Sequence, residues 1–260
     1  MVSTLKKNVS SPVISFKNVS VAYKNHLALE NINGDLLRGG SYSLLGPNGG
    51  GKSTLLKVIM GLIRLKKGSI KYHGIQRRDI AFLPQLSEVD RSFPLTVRDV
   101  VALGHCPSVG FFKSISNELQ AQVSDALDKM GLGDYGDRAL HTLSGGQFQR
   151  MLFARVSLQK ASVIMLDEPF TGIDSYTMDD LLRILGEWNK AGKTLIVVSH
   201  DLDVVRTHFQ ETILLARRII SWGKTKEVVT LESLAKANHM ARRWDAFADQ
   251  DENTQENNHV

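Results

Sequence analysis

Mixed apolar and polar positions run through residues 13–23 (VISFKNVSVAY) and 27–36 (LALENINGDL), with β-branched side chains over-represented. That pattern predicts strands of a partly covered sheet. Ser41–Leu45 is a short apolar strand that runs into a glycine-rich turn. Beyond the turn, Lys52–Gly61 is predicted as a helix with Leu55, Leu56, Ile59 and Met60 on its buried side. Ile80–Leu83 is another short strand, stopped at Pro84. Val163–Leu166 and Leu195–Val198 are uninterrupted apolar runs, as expected of parallel strands covered on both faces. Met178–Trp188, between them, reads as a crossover helix.

The middle of the chain has a different character. Thr96-Val97-Arg98-Asp99 carries the Ser/Thr-x-x-acid pattern of a helix start, with the aspartate slightly short for a full capping box. From Asn117 to Met130, Leu119, Val123, Ala126, Leu127 and Met130 recur at three- and four-residue spacing, and Gly131 is the expected stop. Residues 86–142 are therefore expected to form a small helical insert. No internal repeat is present. The last stretch, 249–260 (DQDENTQENNHV), is polar and is expected to be disordered.

Composition narrows the picture only a little. Hydrophobic residues at 42% and charged residues at 23% are ordinary for a globular protein, and no apolar run approaches the roughly 20 residues of a membrane span. The opening MVSTLKKNVSSP lacks the apolar stretch of a secretory signal, which points to the cytosol. One cysteine, Cys106, excludes an internal disulfide framework. The net charge of +5 comes without a Lys/Arg cluster and interleaved aromatics, so nucleic acid is not the expected partner.

The chemistry begins at Gly46-Pro47-Asn48-Gly49-Gly50-Gly51-Lys52-Ser53-Thr54. This run matches G-x-x-x-x-G-K-[ST] in its required setting, after a strand and before a helix. A chance glycine-rich turn is the alternative, and the bare pattern would arise by chance in about one chain of this size in a hundred. Glycines let successive N–H groups turn inward around a phosphate, and the helix N-terminus adds partial positive charge there. Lys52 is placed to reach the β- and γ-phosphates of a bound nucleotide, and Ser53 to offer its hydroxyl to Mg²⁺.

Val163–Leu166 delivers Asp167 and Glu168 at its C-terminal end, the edge where open α/β sheets bind ligands. Asp167 is placed to hold Mg²⁺ and Glu168 to polarise an attacking water, although acids after strands also serve as helix caps. His200 ends the second such strand, where it could bond the γ-phosphate; alone it would read as an ordinary loop histidine. His105-Cys106 is too short a pair for a metal site and reads as structural. Leu143-Ser144-Gly145-Gly146-Gln147 makes a second anion site, with Ser144 and Gln147 fitting a capping box.

In the ordered set Tyr23, the P-loop, Gln85, LSGGQ, LDEP, Asp174 and His200, residues 13–225 resemble the ABC ATPases. The resemblance implies an α/β fold: a P-loop NTPase core with a mostly parallel sheet, an N-terminal antiparallel β-subdomain and an inserted helical subdomain. It implies one ATPase domain over 13–225, followed by a C-terminal helical extension over 226–248. It further implies a homodimer in which each ATP lies between one P-loop and the other copy's signature. Tyr23 would stack on adenine, and Gln85 would touch the Mg²⁺ region and link it to the insert. Glu168, His200, Gln85 and Lys52 would be the catalytic group. Ser144, Gly145, Gly146 and Gln147 would meet the other copy's ATP, and Asp174 would cross the interface. The insert would dock an integral membrane permease, placing the chain peripherally on the cytoplasmic face of a bacterial inner membrane.

Two departures stand out. Gly50 replaces a small Cβ-bearing residue and is expected to loosen the loop, and Thr171-Gly172-Ile173-Asp174 replaces Ser-Ala-Leu-Asp. Within the family, Asp90–Thr96, Asp167–Asp174 and His200–Val205 resemble the ATPase subunits of bacterial zinc and manganese importers, and His208–Arg217 tilts the likeness toward zinc. A periplasmic or extracellular metal-binding protein would then act through the permease. Other cargoes (siderophore, haem, vitamin), an exporter subunit, and a non-transport ATPase acting on nucleic acid or ribosomes stay open as alternatives.

Overall fold

Two sheets organise the chain in the computed structural model, which describes residues 11–23, 26–106 and 116–242. The first is antiparallel, with β1 (Pro12–Tyr23) between β2 (His26–Leu37) and β4 (Lys67–Tyr72). The second contains β5 (Ile80–Leu83), β6 (Val163–Asp167), β7 (Thr194–Val198), β3 (Ser41–Leu45), β8 (Glu211–Ala216) and β9 (Arg218–Lys224) in that spatial order. Its neighbours run parallel from β5 to β8, and only β9 turns back against β8. The helices are α1 (Lys52–Ile59), α2 (Val97–Ala102), α3 (Asn117–Lys129), α4 (Gly145–Leu158), α5 (Ser175–Lys190), α6 (Leu202–His208) and α7 (Thr225–Val228), and residues 231–242 are also helical.

The uninterrupted apolar strands are explained by burial on both faces. In β6, Ile164 and Leu166 join the cluster formed with α2, α3, α4 and α5, while Val163 and Met165 join the cluster under α1 and the antiparallel sheet. Leu195 and Val197 of β7 go to the first cluster, and Ile196 and Val198 to the second. Each strand thus bonds two layers, leaving its C-terminal end as the accessible edge.

Most predicted elements lie within a few residues of their expected bounds. The regular elements in the insert's described part are all helical, joined by turns, and Thr96 and Ala139 bridge its base. Thr96 and Asp99 do form a complete capping box: the aspartate accepts from Thr96 N–H at 2.9 Å, and its own N–H donates to Thr96 Oγ1 at 3.2 Å. The shorter acid reaches after all. In α1, Met60 is only half-buried at the C-cap, and Val58 takes the buried place beside Leu55, Leu56 and Ile59. Leu119 is likewise half-buried, while Val123, Ala126, Leu127 and Met130 are in the core. The crossover helix begins earlier than its periodicity suggests, because Asp174 caps it at Ser175. Residues 1–10, 243–248 and the tail 249–260 lie outside the described set.

One buried polar chain ties β3, β8 and α7. Thr225 Oγ1 donates to the Phe209 carbonyl at 2.8 Å, leaving its oxygen to accept from Thr212 at 3.0 Å, and Ser43 lies 2.7 Å from Thr212. All three hydroxyls are buried. Thr212→Val removes the middle member and strands the Ser43 hydroxyl, so a loss of about 1–3 kcal/mol is expected. A urea unfolding midpoint, with its slope unchanged, measures it.

Candidate functional site

The loop between β3 and α1 follows from where its backbone must go. Gly46 and Gly51 have φ of +148° and +93°, and an added Cβ would fall 1.9 Å from Leu215 O and 2.6 Å from Ala28 O respectively. Only glycine permits that approach. Gly50 is closely surrounded as well. A Cβ there would sit 2.8 Å from Pro47 O and 3.0 Å from Leu215 O, so its absence lets the loop pack tightly. No side chain caps the start of α1, so its first N–H groups stay available for an anion.

A cavity of about 890 Å³ opens above this loop. Tyr23, Asn48, Gly49, Gly50, Gly51, Lys52, Ser53, Thr54, Gln85, Glu168 and His200 all line it. Gly46, Pro47 and Asp167 are not among the residues that line it. Four wall residues carry no motif: His26, Leu27, Ala28 and Arg217. They come from β2 and from the turn after β8, and nothing in the local sequence marks them. Tyr23, the final residue of β1, is 48% exposed and stands on the cavity wall.

Lys52 is buried, and its ammonium donates to the carbonyls of Gly46 and Pro47 at 2.9 Å each. Burial lowers its pKa, while nearby Glu168 and Asp167 pull the other way. Asp167 is also buried. Desolvation raises its carboxyl above the usual range, a hydrogen bond from Ser53 opposes this, and Glu168 adds to the rise. A dry carboxylate beside a hydroxyl, with a carboxamide nearby, is a hard-oxygen set that a small divalent cation suits. Among the described residues no group of three or more His, Cys, Asp or Glu side chains is arranged to hold a metal.

Glu168 is held in an uncommon shape. Its φ is +49°, a region non-glycine residues rarely occupy and one that clusters at functional sites. The strained position is fixed by its N–H, which donates to Val198 O at 3.2 Å. Its Oε2 accepts from Gln85 Nε2 at 3.0 Å and from Thr171 Oγ1 at 3.4 Å, with His200 Nδ1 4.0 Å away. Gln85 and His200 from two other segments, and Thr171 from the turn of Glu168 itself, therefore converge on one carboxylate oxygen.

The signature residues are elsewhere. Ser144 caps α4, accepting from Gln147 N–H at 3.3 Å, while Gln147 Oε1 accepts from Ser144 N–H at 3.0 Å. Asp174 caps α5 through Thr177 N–H at 2.8 Å, and those bonds hold its carboxyl below the usual range. A Cβ on Gly146 would lie 3.2 Å from Thr177 Oγ1, so the two helix starts are neighbours. Ser144, Gly145, Gly146, Gln147 and Asp174 form this second cluster and none of them lines the cavity. One chain carries the phosphate-loop cavity and this second cluster without itself bringing them together.

Residues 29–171 match the ABC transporter family. The chain is 38% identical to the manganese transport system ATP-binding protein MntB of Halalkalibacterium halodurans, over 87% of this chain and 92% of that protein. It is 37% identical to the zinc transport system ATP-binding protein TroB of Treponema pallidum, over 86% of each. Among solved structures, an inward-facing metal-chelate type ABC transporter superposes with a TM-score of 0.78 at 29% identity, covering 88% of this chain and 90% of that one. A dimeric post-hydrolysis ATP-binding cassette bound to ADP and Pi gives 0.72, also at 29% identity, covering 82% and 98%.

Proposed function

Because the chain belongs to the ABC transporter family and is an ATPase, we propose that it powers import of a divalent metal ion, zinc or manganese, across a bacterial inner membrane. The carrying observation is the separation of the phosphate cavity from the Ser144/Asp174 cluster on a single chain. Two copies arranged head to tail would complete both sites, each ATP lying between one cavity and the other copy's signature. No helix of the described residues is long and apolar enough to cross a membrane, so transport needs separate permease subunits. The helical insert docks them, and a periplasmic or extracellular metal-binding protein delivers the ion from the far side.

In this reading Tyr23 stacks on the adenine, residues 46–54 wrap the phosphates with backbone N–H groups, and Lys52 turns from its two carbonyls to the β- and γ-phosphates. Ser53, Asp167 and Gln85 would hold Mg²⁺, which when bound neutralises developing phosphate charge. Asp167's costly dry carboxylate is the feature such a cation would relieve. Glu168 takes the proton from the attacking water, and His200 bonds the γ-phosphate. Gln85, bonded to Glu168, begins the segment that leads into the insert, so the state of the nucleotide reaches the permease side.

The metal-chelate transporter among the structural relatives supports a second reading, import of a chelated metal such as a siderophore or haem. A deletion strain separates the two. Depleted cellular zinc or manganese, restored by the intact gene, is expected. Normal levels of both ions, with failure to use a chelated metal, would replace the first reading by the second.

A further inference from the structure

A cation outside the sequence motifs stands on the wall of the nucleotide cavity. Arg217 forms the turn between β8 and β9 with φ of +59°, a left-handed conformation that side chains seldom adopt. The turn is anchored on both sides. Arg217 N–H donates to the Gly50 carbonyl at 2.7 Å, and its own carbonyl accepts from Glu30 N–H at 2.7 Å. Arg218, next in sequence, pairs with Glu30 through Nε at 2.8 Å. The hairpin is thus bolted to the phosphate loop by backbone bonds, and the half-buried Arg217 is delivered to a fixed place.

Sheet order tells which part of a nucleotide that place serves. In the order β6-β7-β3-β8, Glu168 follows β6 and His200 follows β7, so both lie on one side of the loop that follows β3. Arg217 follows β8 and lies on the other side. There it neighbours Gly50 and the start of β2, whose His26, Leu27 and Ala28 share the cavity wall with Tyr23. The γ-phosphate end is already bounded by Lys52, Gln85, Glu168 and His200.

We propose that Arg217 is an ATP-binding residue whose guanidinium holds the α-phosphate, and that the left-handed turn serves to aim it there. A guanidinium beside a phosphate makes charge-assisted bonds in a fork geometry. The inference rests on the cavity being the ATP site. Because the α-phosphate is common to ATP and ADP, the contribution is equal for both.

The test is titration of ATP and of ADP into the full-length chain carrying Arg217→Asn, Arg217→Lys or Lys52→Ala, at low and high salt. Asparagine tolerates a left-handed backbone, so Arg217→Asn removes the charge while sparing the turn. It is expected to weaken both nucleotides about tenfold, with their ratio unchanged and the loss smaller at high salt. Arg217→Lys keeps the charge without the fork and is expected to bind with an affinity between those of Arg217→Asn and the unsubstituted chain. Unchanged binding by Arg217→Asn overturns the proposal, as does a loss confined to ATP. Arg217→Lys weaker than Arg217→Asn also overturns it, since a cation at this position would then not assist binding. If Arg217→Asn does not fold, Arg217→Gly stands in for it, because glycine accepts the same φ. Nucleotide binding by Lys52→Ala at full strength would instead show that the cavity is not the ATP site.

Discussion

Glu168→Gln is expected to lower ATP turnover by about 10²–10⁴-fold while leaving ATP affinity within about threefold, measured on the chain assembled with its permease. That range is what loss of a positioned general base costs, roughly 3–5 kcal/mol of barrier. The substitution isolates the chemistry because glutamine has nearly the same shape. Its carbonyl oxygen can accept from Gln85 Nε2, as the glutamate now does at 3.0 Å, so the convergence of Gln85, Thr171 and His200 survives. The strained backbone at +49° and its bond to Val198 O are set by the strand ends, not by the carboxylate. What disappears is the ability to take a proton. Turnover at the unsubstituted rate would remove Glu168 from the base role.

Lys52→Ala should act at the other step, weakening ATP binding by about 10–100-fold in a direct titration. Lys52 is the cation at the start of α1, inside the cavity and largely removed from water, where a bond to phosphate is strongest. Its two present acceptors are neutral carbonyls, and burial already disfavours its charge. A phosphate satisfies that charge far better than either carbonyl does. The free chain should therefore remain folded when Lys52 is removed, so that lost binding reports the contact itself. The two substitutions separate the site into parts: Lys52→Ala loses affinity, and Glu168→Gln loses rate. A Lys52→Ala chain with full affinity would mean the cavity recognises something other than phosphate.

The phosphate loop was readable because local geometry dictates it: positive φ and close backbone approach at Gly46 and Gly51 leave no choice but glycine. The Ser144 capping box was readable for a similar reason, since both of its bonds span three residues. β4 was not, because its mostly exposed residues (KGSIKY) carry no burial pattern and its position comes from pairing with β1. β8 and β9 were also missed. The run through Leu214 and Leu215 drew notice as a likeness to zinc importers, whereas its physical meaning is a strand buried beside β3 and turned back at Arg217. Thr96-Asp99 erred in the opposite direction, since side-chain length alone underestimates what a well-placed aspartate can reach.

Taken alone, the sequence determined which chemical groups the protein owns: a phosphate loop, a strand-end acid pair, a histidine and a capped signature helix. Each is encoded within a few adjacent residues. Only the tertiary structure decided which of these groups meet. Strand order sets Gln85, Glu168 and His200 around one point, carries Arg217 to the far side of the loop, and leaves Ser144 and Asp174 outside the cavity. Such distances depend on pairings between segments far apart in the chain, and the free energy that fixes them comes from burial shared among many residues, so no short stretch records it.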